Sequence, residues 1–155
     1  MPIFIKFEGG SPKIRGDVKK GAHAGWLTLE SAQFGVSRNI GTPGNSTERG
    51  TGAPHFSEIV GTFGMNEATN DILSASLTGE GYSLVTIDFV KDGEDTPYMQ
   101  VKLKSAMVTT FSSSGGDKPM VSFALNYLGI EYGKTTPPGG KSAALMQFDL
   151  DQATA

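Results

Sequence analysis

VSFALNYLGIEY, residues 121–132, alternates apolar and polar side chains and then changes phase. Val121, Phe123, Leu125 and Tyr127 share one face of an extended chain, while Leu128, Ile130 and Tyr132 take over the other. Alternation with a period of two marks a β-strand with one buried face. A change of phase inside such a run needs a bulge, or a strand that leaves one packed surface for another, as at the corner of a barrel.

Working outward, Tyr82 to Lys91 and Tyr98 to Phe111 are β-prone runs joined by the hairpin-like DGEDTP of residues 92–97, which predicts antiparallel pairing. Before them, Asn66 to Leu77 has helical spacing, with Ala68, Ile72, Ala75 and Leu73 toward one side. Asn66 or Thr69 is placed to cap it and Gly79 to end it. Phe56 to Phe63 reads as a strand, Gly25 to Arg38 as one or two strands around Gly35, and Pro2 to Glu8 as an N-terminal strand with Ile3, Ile5 and Phe7 on one face. Asn39 to Pro54, full of Gly, Pro, Ser and Thr, has no hydrophobic period and reads as a long loop. Lys134 to Lys141 is a turn, and Ala144 to Leu150 a last strand. With no alternation of strand and helix, the chain is expected to be mainly β, a small antiparallel β-barrel of two packed sheets with one short α-helix and a long extended loop.

Composition sets the bounds. The chain has 155 residues, the size of a single domain over residues 1–155. Its 21 glycines are nearly twice the usual share of about 7 %, as many tight turns between short strands require. A net charge of −3 with no long basic run lacks the footprint of a nucleic-acid binder. No cysteine is present, which excludes disulfides and thiolate chemistry and fits folding in a reducing compartment. The opening MPIFIKFEGG lacks a basic leader and a long apolar core, and no later run approaches membrane-spanning length, so neither a signal peptide nor membrane insertion is expected.

The residues do not assemble a reaction centre. His23 and His55 have no second histidine, cysteine or carboxylate at ligand spacing on their own elements, so no metal site is expected. Asp149 with Asp151, and Glu94 with Asp95, read as solvated polarity rather than as paired acid and base. Ser112 to Gly116 has amides for a phosphate but lacks the GK[ST] and the following helix of a phosphate loop. Arg15-Gly16-Asp17 reads as a turn, and Asn45-Ser46-Thr47 as loop residues. No cofactor and no catalytic residue is assigned.

A set of short phrases runs through the chain in order: GWLTL (25–29), SEIV (57–60), EAT (67–69), SLTG (76–79), PYMQ (97–100) and SSSGGD (112–117). With the opening Phe4-Ile5-Lys6, the turn Phe34-Gly35-Val36-Ser37 and Leu125-Asn126-Tyr127, these resemble the haemolysin-coregulated protein (Hcp) family of the type VI secretion machine, from Ile3 to about Leu150. Departures stand at Phe63 and Gly129, where the family commonly has lysine, at Asn66, where it has an acid, and at Val121, where it has glutamate.

The resemblance implies a structural protein rather than an enzyme. Its subunits form hexameric rings that stack into a hollow tube, with the sheath, spike and baseplate proteins and effector cargo as further partners. It also implies folding in the bacterial cytoplasm and secretion through the machine, with no toxin domain following. Under it, Arg38, Asn39, Glu48, Arg49, His55, Ser57 and Glu58, in and around the long loop, are candidates for contact between subunits; the same residues read equally as solvated loop polarity. Two other readings stay open. One is a monomeric ligand-binding β-barrel or lectin-like module, with Trp26, Tyr82 and Tyr98 in its pocket; the other is a phage-type tail tube protein.

Overall fold

The computed structural model describes residues 2–40, 51–93, 96–134 and 146–149. Among them are eleven strands and one helix: β1 (Ile3–Glu8), β2 (Leu27–Leu29), β3 (Ser31–Gln33), β4 (Val36–Ile40), β5 (Thr51–Phe56), β6 (Ile59–Gly64), α1 (Ala68–Thr78), β7 (Tyr82–Val90), β8 (Pro97–Ser114), β9 (Met120–Asn126), β10 (Gly129–Lys134) and β11 (Met146–Asp149). All strand pairs are antiparallel.

Strand β8, 18 residues long, belongs to two sheets. Its first part pairs with β7 on one side and β10 on the other; its second part, from Met107, pairs with β9. Ser105, near the end of the first part, has φ 51°, the left-handed region that a non-glycine residue enters only where surrounding structure holds it. The first sheet runs β2-β1-β7-β8-β10-β11 and the second β8-β9-β6-β3. Residues 121–132 make the same crossing: β9 lies in the second sheet, β10 in the first, and Leu128 N–H bonds Lys104 O at the corner, 3.0 Å. The phase change in that stretch is therefore a passage between surfaces.

The two sheets face each other across one core, in which Phe63, Val85, Leu103, Phe123 and Leu125 are at most 1 % exposed. Phe7 bridges it, its ring 5.3 Å from Tyr82 and 6.3 Å from Phe123. Each such side chain contributes about 1.5–3 kcal/mol by leaving water. Hydrogen bonding does not close the sheets into a barrel: the ladder ends at β2 on one side and β3 on the other. These strands are consecutive in the chain, with only Glu30 between them, too little for a hairpin turn. The chain itself spans the seam, and Glu30 N–H bonds Thr62 O at 2.7 Å.

Helix α1 buries Ala68, Ile72 and Ala75. Leu73 is 37 % exposed, because it stands about 100° round the helix from Ile72. Asn66 caps the helix: its Oδ1 accepts from Ala68 N–H at 2.8 Å, and its own N–H donates to Thr69 Oγ1 at 3.1 Å. Gly79, at φ 68°, ends it with an N–H bond to Ala75 O.

The loop expected over 39–54 is strand at both ends, at 39–40 and 51–54, and its residues 41–50 lie outside the described residues. Its flanks form strands β4 and β5, which pair with each other and with neither main sheet. Pro54 and Gly52 had hidden β5, and proline is tolerated in a strand where its missing donor faces outward. Phe56 closes this hairpin, and β6 starts at Ile59 rather than continuing from it.

Candidate subunit interface

The β4–β5 hairpin is an arm, and its root is built from two of the sequence phrases. Phe34-Gly35-Val36 and Ser57-Glu58-Ile59 stand face to face there. Gly35 N–H donates to Ser57 Oγ at 2.6 Å, Ser57 Oγ donates to Gly35 O at 2.9 Å, and Ser57 N–H donates to the same carbonyl at 2.8 Å. Tyr127 OH donates to Ser57 O at 2.9 Å, and burial pushes this phenol up to about 12. The rings of Phe34 and Tyr132 lie 5.5 Å apart and those of Phe56 and Tyr127 6.4 Å, so both strands of the arm are anchored to the second half of the fold.

The second sheet leaves two edges without a partner among the described residues. One is β3, which pairs only with β6; the other is residues 107–114 of β8, which pair only with β9. MVTTFSSS, residues 107–114, has no charge and no proline to discourage pairing, though a bulge interrupts it between Val108 and Thr110. Such an edge presents unpaired N–H and C=O groups to another chain.

The outer faces of the two sheets differ in kind. On the first, Lys6, Glu8, Lys102, Lys104 and Glu131 alternate with core residues, and Lys6–Glu8 and Lys104–Glu131 pair at 3.0 and 3.3 Å. On the second, Ser112, Ser122, Thr62 and Ser31 stand in register across four strands, and the Ser31 and Thr62 hydroxyls are 2.6 Å apart. The adjoining row is Thr110, Ala124, Val60 and Gln33. No described residue of this face is charged, and part of it forms a shallow cavity of about 320 Å³ lined by Thr62, Ser112–Ser114 and Met120–Ser122.

Of the contact candidates, Arg38 and Asn39 lie on β4 and His55 on β5, so the arm carries three of them. Ser57 and Glu58 form the link into β6; the Ser57 hydroxyl is engaged with Gly35 inside the subunit, and Glu58 is exposed. Glu48 and Arg49 lie outside the described residues.

The sequence profile of the family described as "Type VI secretion system effector, Hcp" matches residues 4–133. The chain belongs to the Hcp family. It is accordingly a β-rich tube protein of the type VI secretion system, from a family of secreted structural proteins. Its fold is similar to that of a type six secretion system protein (17 % identity, TM-score 0.82, covering 98 % of this chain and 97 % of the other). It is also similar to a type VI secretion system effector from Yersinia pestis (17 %, 0.72, 95 % and 98 %) and to Hcp1 from Salmonella typhimurium (13 %, 0.79, 97 % and 95 %). No curated protein matches the sequence. Among the described residues no helix is long and apolar enough to cross a membrane.

Two of the departures from the Hcp pattern meet in space. Phe63 and Val121 are register partners across β6 and β9, both wholly buried, and Phe63 lies 5.8 Å from Phe123. Lysine and glutamate buried there would both have to be desolvated, which an apolar pair avoids. Asn66, another of those positions, supplies the helix cap.

One polar cluster escaped the sequence reading. His23, 6 % exposed, has its Nε2 2.9 Å from Asp88 Oδ2, and Gln100 Nε2 donates to Asp88 Oδ1 at 2.8 Å. Phe4 stacks on the imidazole at 4.6 Å and Trp26 meets it edge-on at 4.8 Å. The pair pins the segment before β2 onto the outer face of the first sheet. Its partner comes from another element 65 residues on, which spacing alone does not reveal; the available signal was a lone acid inside the apolar run TIDFV. Trp26 is thus engaged with His23 and Tyr82 with the core, rather than with a shared ligand pocket.

Proposed function

We propose that this chain is the repeating subunit of hexameric rings, that these rings stack into a tube, and that the tube leaves the cell with effector cargo in its channel. The observation that carries the reading is that the second sheet has two edges without a partner among the described residues, β3 and residues 107–114 of β8. The β8 edge of one copy beside the β3 edge of the next continues the second sheet from subunit to subunit, and a repeated head-to-tail contact closes into a ring when its rotation divides a circle. Each copy then covers its neighbour's unpaired backbone groups.

In this reading the second sheet forms the inner wall of the ring. Around a ring with a continuous second sheet, the first sheet and helix occupy the wider outer circumference. The uncharged, hydroxyl-bearing face of Ser31, Thr62, Ser112 and Ser122 then lines the channel. A wall of this kind offers hydrogen bonds to cargo without selecting its charge sign. The subunit acts by shape and assembly, making and breaking no covalent bond.

Cysteines at Gln33 and Thr110 test the ring contact, since the parent chain has none. Within one subunit these positions are three strands apart, roughly 14 Å, too far for a disulfide. Oxidation at dilution is expected to give a ladder of covalent oligomers ending in a closed ring. Monomers alone on a non-reducing gel, from protein that stays folded, would contradict the edge-to-edge contact.

A further inference from the structure

Met99, the third residue of the phrase PYMQ, is the one methionine among the described residues whose sulfur accepts a hydrogen bond. The Tyr132 hydroxyl donates to its Sδ at 3.0 Å. The two residues stand on the adjacent strands β8 and β10, two positions apart in register, and both are half-buried. A thioether is a weak acceptor, so this contact owes its position to the packing around it: Phe89 lies opposite Met99 on β7, and Tyr132 packs against the core. Met65 and Met107 are more open, 48 % and 37 % exposed, and their sulfurs hold nothing among the described residues.

The contact leads to the arm. The Tyr132 ring lies 5.5 Å from that of Phe34, and Phe34 precedes Gly35, whose N–H and C=O are both held by Ser57. Since β4 and β5 pair with neither main sheet, side-chain contacts at the root are what tie them to the rest of the subunit. Met99, Tyr132 and Phe34 form one such tie, with a chemically reactive sulfur at its far end.

We infer that, within the single subunit, Met99 is an oxidation site for peroxides and that its oxidation loosens the arm. A sulfur lone pair attacks one peroxide oxygen, the O–O bond breaks, and thioether plus hydrogen peroxide becomes sulfoxide plus water; sulfur loses the two electrons that the peroxide gains. The sulfoxide is polar, with its acceptor on the new oxygen rather than on sulfur. Whichever way that oxygen points, the present contact is lost. Toward Tyr132 there is no room for an interposed atom, because an O–H···O bond alone takes roughly 2.7–2.8 Å of a gap that is 3.0 Å in all. Away from Tyr132, the hydroxyl faces a sulfur that accepts poorly. Tyr132 must turn in either case, and the ring of Phe34 loses its support. Enzymatic reduction of the sulfoxide reverses the change.

The test uses the full chain treated with hydrogen peroxide, with oxidised methionines located by peptide mass spectrometry and amide exchange read in β4 and β5. Met65 and Met107 are expected to oxidise first and leave the arm unaffected. As Met99 sulfoxide accumulates, exchange in β4 and β5 is expected to quicken about fivefold, the order set by one lost hydrogen bond, and methionine sulfoxide reductase to restore it. Met99→Leu, which keeps the apolar volume, is expected to oxidise at Met65 and Met107 with no response in the arm. Tyr132→Phe is expected to oxidise at Met99 and also show no response, because the coupling runs through the hydroxyl. Met99 still reduced once Met65 and Met107 are fully oxidised would overturn the site. Met99 sulfoxide with unchanged exchange, or Met99→Leu responding like the parent, would overturn its hold on the arm.

Discussion

Ser57 takes the Gly35 N–H and returns its own hydroxyl proton to the Gly35 carbonyl, so removing one oxygen strands the Gly35 N–H at the arm's root, while the carbonyl keeps the Ser57 N–H. Ser57→Ala is expected to cost about 1–3 kcal/mol, seen as a lower Tm and as faster amide exchange confined to β4 and β5. An unchanged exchange pattern would mean that the clamp does not hold the arm. His23 was legible in the sequence only as a histidine with no local ligand partner, because its partner lies on another strand. His23→Phe keeps the ring against Phe4 but leaves Asp88 buried with Gln100 alone. We expect a loss of about 1–3 kcal/mol in thermal or denaturant unfolding, with the double variant His23→Phe, Asp88→Leu recovering part of it.

Tyr82 and Tyr127 give a residue-scale prediction about pH. Burial, joined at Tyr82 by the nearby Asp71 and Glu80 charges, pushes both phenols from 10.0 up to about 12. The folded chain therefore binds more protons than the unfolded chain between these values. Stability from this source is complete below pH 10 and is lost as pH rises toward 12. Phenolate absorbance is expected to show two of the four tyrosines titrating late, and Tyr127→Phe to flatten the alkaline fall in Tm. Four phenols titrating together near the ordinary value would contradict the burial described.

At the scale of elements, what the sequence made legible follows from how local each signal is. The helix was readable from Ala68, Ile72 and Ala75 with the Asn66 cap, all within one segment. Gly79, held at φ 68° with nothing within 4 Å of a would-be Cβ, marks its end. Gly79→Ala is expected to cost about 1 kcal/mol through backbone strain alone, measured as a Tm shift of roughly 2–4 °C. The arm strands were hidden because TGAPHF has poor intrinsic β propensity and gains order from pairing with β4. The phase change in residues 121–132 announced a corner but could not place it at Tyr127 and Leu128, where Leu128 N–H bonds Lys104 O of a different strand.

At the scale of the molecule, the sequence phrases marked the family, and contacts join two of them: Gly35 and Ser57, far apart in the chain, are one hydrogen-bonded unit. Barrel closure was not legible, because whether β2 and β3 pair is a property of the seam at Glu30 rather than of either strand. The arrangement leaves a subunit with a core of its own but with two unpaired edges on one sheet. The contact residues anticipated around the arm are only part of the surface available for assembly; the edges of β3 and β8 had no signature beyond an uncharged run.

The central claim is that copies of this chain cover those edges. The most direct measurement is the mass of the purified protein at micromolar concentration, by light scattering with negative-stain imaging of the same sample. The account predicts annular particles whose mass is a sixfold multiple of the 16.3 kDa chain. A folded, monodisperse species of one chain, with no annulus at any concentration, would contradict it.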